Sequence, residues 1–117
     1  MYIQFYTNNR PVSWNGQEVP IHTQESLENY LIHGYPPGSF VTAVLTNDLY
    51  GVVARADNIN KQNLIAITDW VINHAPSMSW GSHELMELWI TDADGRRTAY
   101  SEPIMKAYTW KSLQGEV

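Results

Sequence analysis

A chain of 117 residues with 44% hydrophobic and 16% charged residues is sized for one domain and excludes disorder driven by charge. No apolar run approaches the ~20 residues that cross a bilayer, no basic segment precedes an apolar stretch at the start, and there is no cysteine. These features predict a soluble, cytoplasmic chain with no signal peptide, disulfide framework or thiolate zinc site; the net charge of -5 disfavours sequence-independent binding to nucleic-acid phosphates.

Residues 2 to 7 alternate, with Ile3 and Phe5 on one side and Tyr2, Gln4 and Tyr6 on the other, the period of a half-buried strand. Turn formers follow at residues 8 to 11. Residues 12 to 19 then place Asn15-Gly16 between two short extended runs, a two-residue hairpin signal. A small antiparallel sheet is the resulting expectation for residues 1 to 22.

Helical signals begin at Thr23, a candidate N-cap, with Glu25 and Glu28 toward the positive end of the dipole. Leu27, Tyr30 and Leu31 share one face, Gly34 suits a left-handed stop, and Pro36-Pro37 prevents continuation. Ser39 caps a second predicted helix over residues 40 to 54, with a core stripe of Val41, Val44, Leu45, Leu49, Val52 and Val53. Asp57 or Asn58 caps a third, running to about residue 75, with Leu64, Ile67, Val71 and Ile72 inward.

Ser82 caps a short fourth helix carrying Leu85, Leu88 and Trp89. The alternative over the same stretch is a hairpin, residues 86 to 91 and 97 to 101 around Asp92-Ala93-Asp94-Gly95. Beyond Pro103, residues 105 to 111 mix β-formers with lysines and suit an edge strand. The expected architecture is a single α+β domain, three to four helices packed with a small antiparallel sheet. Residues 1 to 22 supply the hairpin region, 23 to 91 the helical core, and 92 to 117 a tail with a strand.

Chemical signatures are sparse. His22, His33, His74 and His83 form no i, i+3 or i, i+4 pair, so no metal site is expected; His33 and His74 fit helix ends, where an imidazole favours the carbonyl end of the dipole. The Asp92 to Gly95 run opens like a calcium loop but has Arg96 at a ligand position and Pro103 at the twelfth, so it reads as an acidic surface turn. No nucleophile elbow, zinc-protease motif or phosphate loop occurs, so no catalytic residues and no cofactor are expected.

Asp48, Arg55 and Asp57 suggest a structural polar cluster. Gly38, Ser39, Gly81 and Ser82, at helix starts, form a candidate anion or ligand site, although plain helix caps explain the same residues. Five Trp and seven Tyr against two Phe favour contact surfaces with a polar handle. Trp80 and Trp89 fit a core around the fourth helix. Tyr2, Tyr6 and Trp14, with Glu18 beside them, form the candidate partner-binding set.

The run Tyr35-Pro36-Pro37-Gly38-Ser39-Phe40 through Thr46-Asn47-Asp48-Leu49, followed by Arg55-Ala56-Asp57, Asn60, Ala75-Pro76 and Trp80-Gly81-Ser82, resembles a recurrent small protein of bacteriophages and prophages. The similarity spans about residues 25 to 90. It implies a phage setting, and hence a bacterial host, together with a compact helical core; it implies no activity. The resulting expectation is a non-enzymatic interaction protein that binds and modulates a host protein, for example an inhibitor of a defence system. The alternative is a small-ligand or nucleotide-binding protein.

Overall fold

The computed structural model describes residues 16 to 113, with side chains through residue 107. Among them the regular elements are all helical: α1 (Ile21–His33), α2 (Ser39–Leu45), α3 (Leu49–Arg55), α4 (Asn58–Gln62), α5 (Leu64–His74), a 3-10 turn (Ser77–Ser79), α6 (His83–Thr91) and α7 (Arg96–Leu113). The expected α+β architecture is therefore corrected to an all-helical one for the described residues. The proposed strand over residues 2 to 7, and most of the hairpin, lie outside them.

Two tertiary causes convert expected strand into other structure. At the start, Gly16 has the positive φ of a turn (81°), but the following residues are recruited by helices. The Gln17 side chain accepts from the backbone N–H groups of Ile65 (3.0 Å) and Ala66 (3.3 Å), and Glu18 donates its backbone N–H to Asn63 Oδ1 (3.2 Å). Orphan donors at the start of α5 thus find a partner 48 residues away in sequence.

At the other end, the expected edge strand is helix α7. Arg97, Tyr100, Ser101, Ile104 and Met105 are half-buried or buried, while residues 98, 99, 102, 103, 106 and 107 are exposed. That is a period of 3.6, not 2. Pro103 lies inside α7 on its exposed side, where it removes the bond to the Ala99 carbonyl and clashes least with packing.

The predicted second and third helices each break in two. After α2, Asn47 adopts a left-handed φ of 61°, with Asp48 N–H donating to Ala43 O (2.9 Å) and Asn47 N–H to Val44 O (3.4 Å). This pair of bonds is a Schellman stop. Asp48 then caps α3 by accepting from the Gly51 N–H (3.0 Å). Between α4 and α5, Asn63 leaves the helical region (φ -126°, ψ 23°) and donates its side-chain amide to Ile59 O (2.9 Å). Asp57 caps α4, as expected, through Asn60 N–H (2.8 Å).

Thr23 does not cap α1. The helix begins at Ile21 after an extended Pro20, and the buried Thr23 hydroxyl donates to Asn60 Oδ1 (2.6 Å), tying α1 to α4. The helix reading of the fourth segment holds: Ser82 Oγ accepts from Leu85 N–H (3.1 Å), and Met86 and Trp89 are the buried residues of α6.

Helix α1 is the pivot of the fold and packs against α2, α6 and α7. Leu27, Tyr30 and Leu31 meet Phe40, Val41 and Leu45 of α2, Ile67, Trp70 and Val71 of α5, and Trp89 of α6 in one core. Burying side chains of this kind stabilises by about 1.5–3 kcal/mol each, before conformational entropy is set against it. Two of the polar groups that enter this core are paired across elements, whereas the buried Trp70 Nε1 has no hydrogen-bond partner among the described residues. Tyr30 donates its hydroxyl to Ser79 O (2.7 Å), and Trp89 donates Nε1–H to Tyr30 O (3.3 Å). Burial pushes the Tyr30 phenol well above its ordinary pKa, so it remains a donor throughout the accessible pH range.

Candidate interaction surface

The expected core stripe of the second helix divides at the break. Val41 and Leu45 of α2 are buried, and Val44 and Val52 pack at the edge of the core. Leu49 and Val53, expected inside, are 70% and 47% exposed, and Tyr50 beside them is 86% exposed. Ala54 is exposed as well. Leu49 with Val53, and Tyr50 with Ala54, are i, i+4 pairs, so the four side chains form two adjacent rows on the outward side of α3. A solvated helix face is normally polar; the four side chains of this one carry a single polar group, the Tyr50 hydroxyl, and no charge.

The inward side of α3 shows why the helix sits this way. Gly51 is its buried residue, and above it Arg55 Nη1 reaches Asp48 Oδ2 at 3.5 Å. A Cβ at position 51 would collide with both groups, so glycine lets the pair close over the backbone. The expected polar cluster is thus present as this pair, with each side chain about half exposed (48% and 47%), while Asp57 is spent on capping α4. Other exposed apolar residues, such as Ile59, Ile72 and Met78, lie on different elements. Single apolar side chains at a surface are ordinary; a whole helix face is not.

The remaining candidate residues fall as follows. Tyr2, Tyr6 and Trp14 lie outside the described residues, and the Glu18 side chain is exposed. Gly38 and Ser39 are exposed at the start of α2, whereas Gly81 docks at its end by donating N–H to Leu45 O (2.7 Å). The two glycine-serine pairs therefore sit at opposite ends of α2. The Gly81 N–H is committed to that bond, and the Ser82 hydroxyl accepts within its own helix cap.

His33 and His74 are the last residues of α1 and α5, as expected, but their electrostatics run opposite to the dipole argument. Burial lowers the pKa of each below the ordinary histidine value, and Arg97 adds to the effect at His33. His33 stacks on Tyr35 (5.0 Å) and His74 tilts against Trp70 (5.1 Å). The Asp92 turn serves the fold: Asp92 Oδ1 accepts from the N–H groups of Arg97 (3.0 Å) and Thr98 (3.3 Å), Oδ2 accepts from the Thr98 hydroxyl, and Asp94 pairs with Arg96. Among the described residues no three acidic or histidine side chains are grouped to hold a metal ion. No helix among them is long and apolar enough to cross a membrane.

Compared with known proteins, the chain matches no family description, no curated protein and no solved structure.

The exposed face of α3 escaped the sequence reading because Leu49 and Val53 continue the 3.6 period of α2. The available signal was Thr46-Asn47-Asp48, an amide that tolerates the left-handed region followed by a strong N-cap.

Proposed function

We propose that this protein is a non-enzymatic interaction module that binds another protein through the outward face of α3. The observation that carries the reading is the apolar face of Leu49, Tyr50, Val53 and Ala54. Leu49 and Tyr50 supply large apolar area that a partner would desolvate, and tyrosine is among the residue types enriched in binding hot spots.

The resemblance of residues 25 to 90 to small phage and prophage proteins supports a setting in the cytoplasm of a bacterial host. There the target would be a host protein, and inhibition of a defence system such as CRISPR, restriction or nucleotide signalling is the most concrete version. The net charge of -5 favours a partner with a basic or neutral surface.

Capture from host lysate on immobilised protein tests the reading, with Tyr50→Asp as the interface variant and Ile72→Asp as a surface control on α5. A target retained by the wild type and the control but lost by Tyr50→Asp is the expected result. A target held equally by all three places the interface away from α3.

A further inference from the structure

We propose that residues 48 to 62, α3 with α4, form a strap that opens from the core as one unit, hinged at Asn47 and Asn63, while α1, α2, α5 and α6 stay packed. The motion does not depend on what α3 binds.

The helices of the strap are too short to stand by themselves. α3 has seven residues and α4 five, and an isolated helix of fewer than ~12 residues is marginal in water. Packing must therefore hold them, and little of it is present. Within residues 48 to 62 only Gly51 and Ala56 are buried. Gly51 brings no side chain, and Asp48 and Arg55 of its own helix lie against it. That leaves the Ala56 methyl in the core and the half-buried Val52 at its edge. By contrast, α2 is also seven residues long and buries Phe40, Val41, Ala43 and Leu45. Apolar burial is the main term that resists local opening, and it is weak in the strap.

The remaining ties are few and mostly local. α3 packs against α2 and α4 against α5, each its neighbour along the chain. Among the described residues one hydrogen bond joins the strap to an element distant in sequence, from the Thr23 hydroxyl of α1 to Asn60 Oδ1 (2.6 Å). The flanks, in contrast, are pinned. Leu45 O accepts from Gly81 N–H (2.7 Å) on one side, and Asn63 Oδ1 accepts from Glu18 N–H (3.2 Å) on the other. Asn47 (φ 61°) and Asn63 (φ -126°, ψ 23°) already depart from helical backbone, so rotation there breaks no helix in its middle. Opening unseats Ala56 and uncovers Thr23, and a partner that touches both α3 and the core holds the strap shut.

Hydrogen exchange of the full chain, followed by mass spectrometry in water and in low urea, reads the opening. Amides 52 to 56 of the α3 end and 61 to 62 of α4 are expected to exchange at least about tenfold faster than those of α1 and α5, with a weaker urea dependence because less surface is exposed. Thr23→Val and Asn60→Ala each remove the distant tie from one side. Each should speed exchange in α3 by the same factor as in α4, several-fold to about tenfold, the size expected for one hydrogen bond. A bond between α1 and α4 governs α3 in this way only if the two helices leave together. Thiol labelling gives a second reading, since the chain has no cysteine. Ala56 and Ala66 are both buried, yet the Ala56→Cys protein should react at least about tenfold faster than the Ala66→Cys protein, whose site lies in α5.

Exchange in α3 and α4 at the rate and urea dependence of α1 overturns the proposal. So does either variant that speeds α4 while α3 keeps its wild-type rate, which would make them separate units. Equal labelling of the two thiols overturns it as well.

Discussion

The guanidinium of Arg97 lies across Gly34, so close that a Cβ at position 34 would come within 2.6 Å of its Nε. Arg97 donates from there to Trp89 O (3.0 Å) and Ile90 O (3.4 Å), capping the end of α6, while Gly34 closes α1 at φ 70° with its N–H on Tyr30 O (2.9 Å). One side chain thus joins the ends of α1 and α6 to the start of α7. Gly34→Ala should destabilise by about 2 kcal/mol or more, since the left-handed backbone alone costs alanine about 1 kcal/mol. Arg97→Ala should cost a similar amount through lost caps. In urea titrations the double variant should lose less than the two single losses added together, because each removes part of the same contact. Strict additivity would show the two residues to be uncoupled.

Asp92 ends α6 in the left-handed region (φ 55°) and caps α7 with both carboxylate oxygens. The Thr98 hydroxyl hydrogen bond is the main cause that holds its carboxyl below the usual range. Asp92→Ala is expected to lower the denaturation midpoint measurably, whereas Asp92→Asn, which keeps an accepting oxygen and tolerates the same φ, should lower it less. Far-UV circular dichroism alongside denaturation checks this, and equal losses for both variants would assign the effect to charge alone.

Ile67 is 1% exposed, whereas Val53 on α3 is 47% exposed. Ile67→Ala should lose about 2–5 kcal/mol and Ile67→Asp should unfold much of the population. Val53→Ala should fall within about 0.5 kcal/mol of the wild type. Val44, half-buried at the core edge, should fall between them. A loss at Val53 as large as that at Ile67 would place α3 in the core.

The pH dependence near neutrality follows from His33 and His74. Both titrate below the ordinary 6.5 in the folded chain because burial disfavours the charged imidazole. Between those lowered values and about 6.5 the unfolded chain binds more protons, so this contribution is fully present above about 6.5 and is lost as pH falls through the window. Denaturation midpoints should therefore drop as pH falls below about 6.5, and the His33→Gln, His74→Gln double variant should flatten that slope. An unchanged slope would move the titrating groups elsewhere.

At several positions where the structural cause lies within a few residues, the sequence alone determined the outcome. Gly34 stops α1, Asp57 caps α4, Ser82 caps α6, and Leu27, Tyr30, Leu31, Ile67 and Trp89 are core. Period and cap chemistry are local properties, readable without the rest of the chain. Three other features were decided only by the tertiary structure, the first two by partners far away in sequence. Gln17 reads as strand by its neighbours, yet it caps α5 because the chain brings it beside the Ile65 and Ala66 amides. Residues 105 to 111 mix β-formers with lysines, but they continue α7, whose described side chains follow the 3.6 period on the surface offered by α1 and carry Pro103 on the exposed side. Leu49 and Val53 have the hydrophobicity of core residues. The turn at Asn47 aims them outward, and hydrophobicity fixes the free energy gained on burial without naming the surface that does the burying.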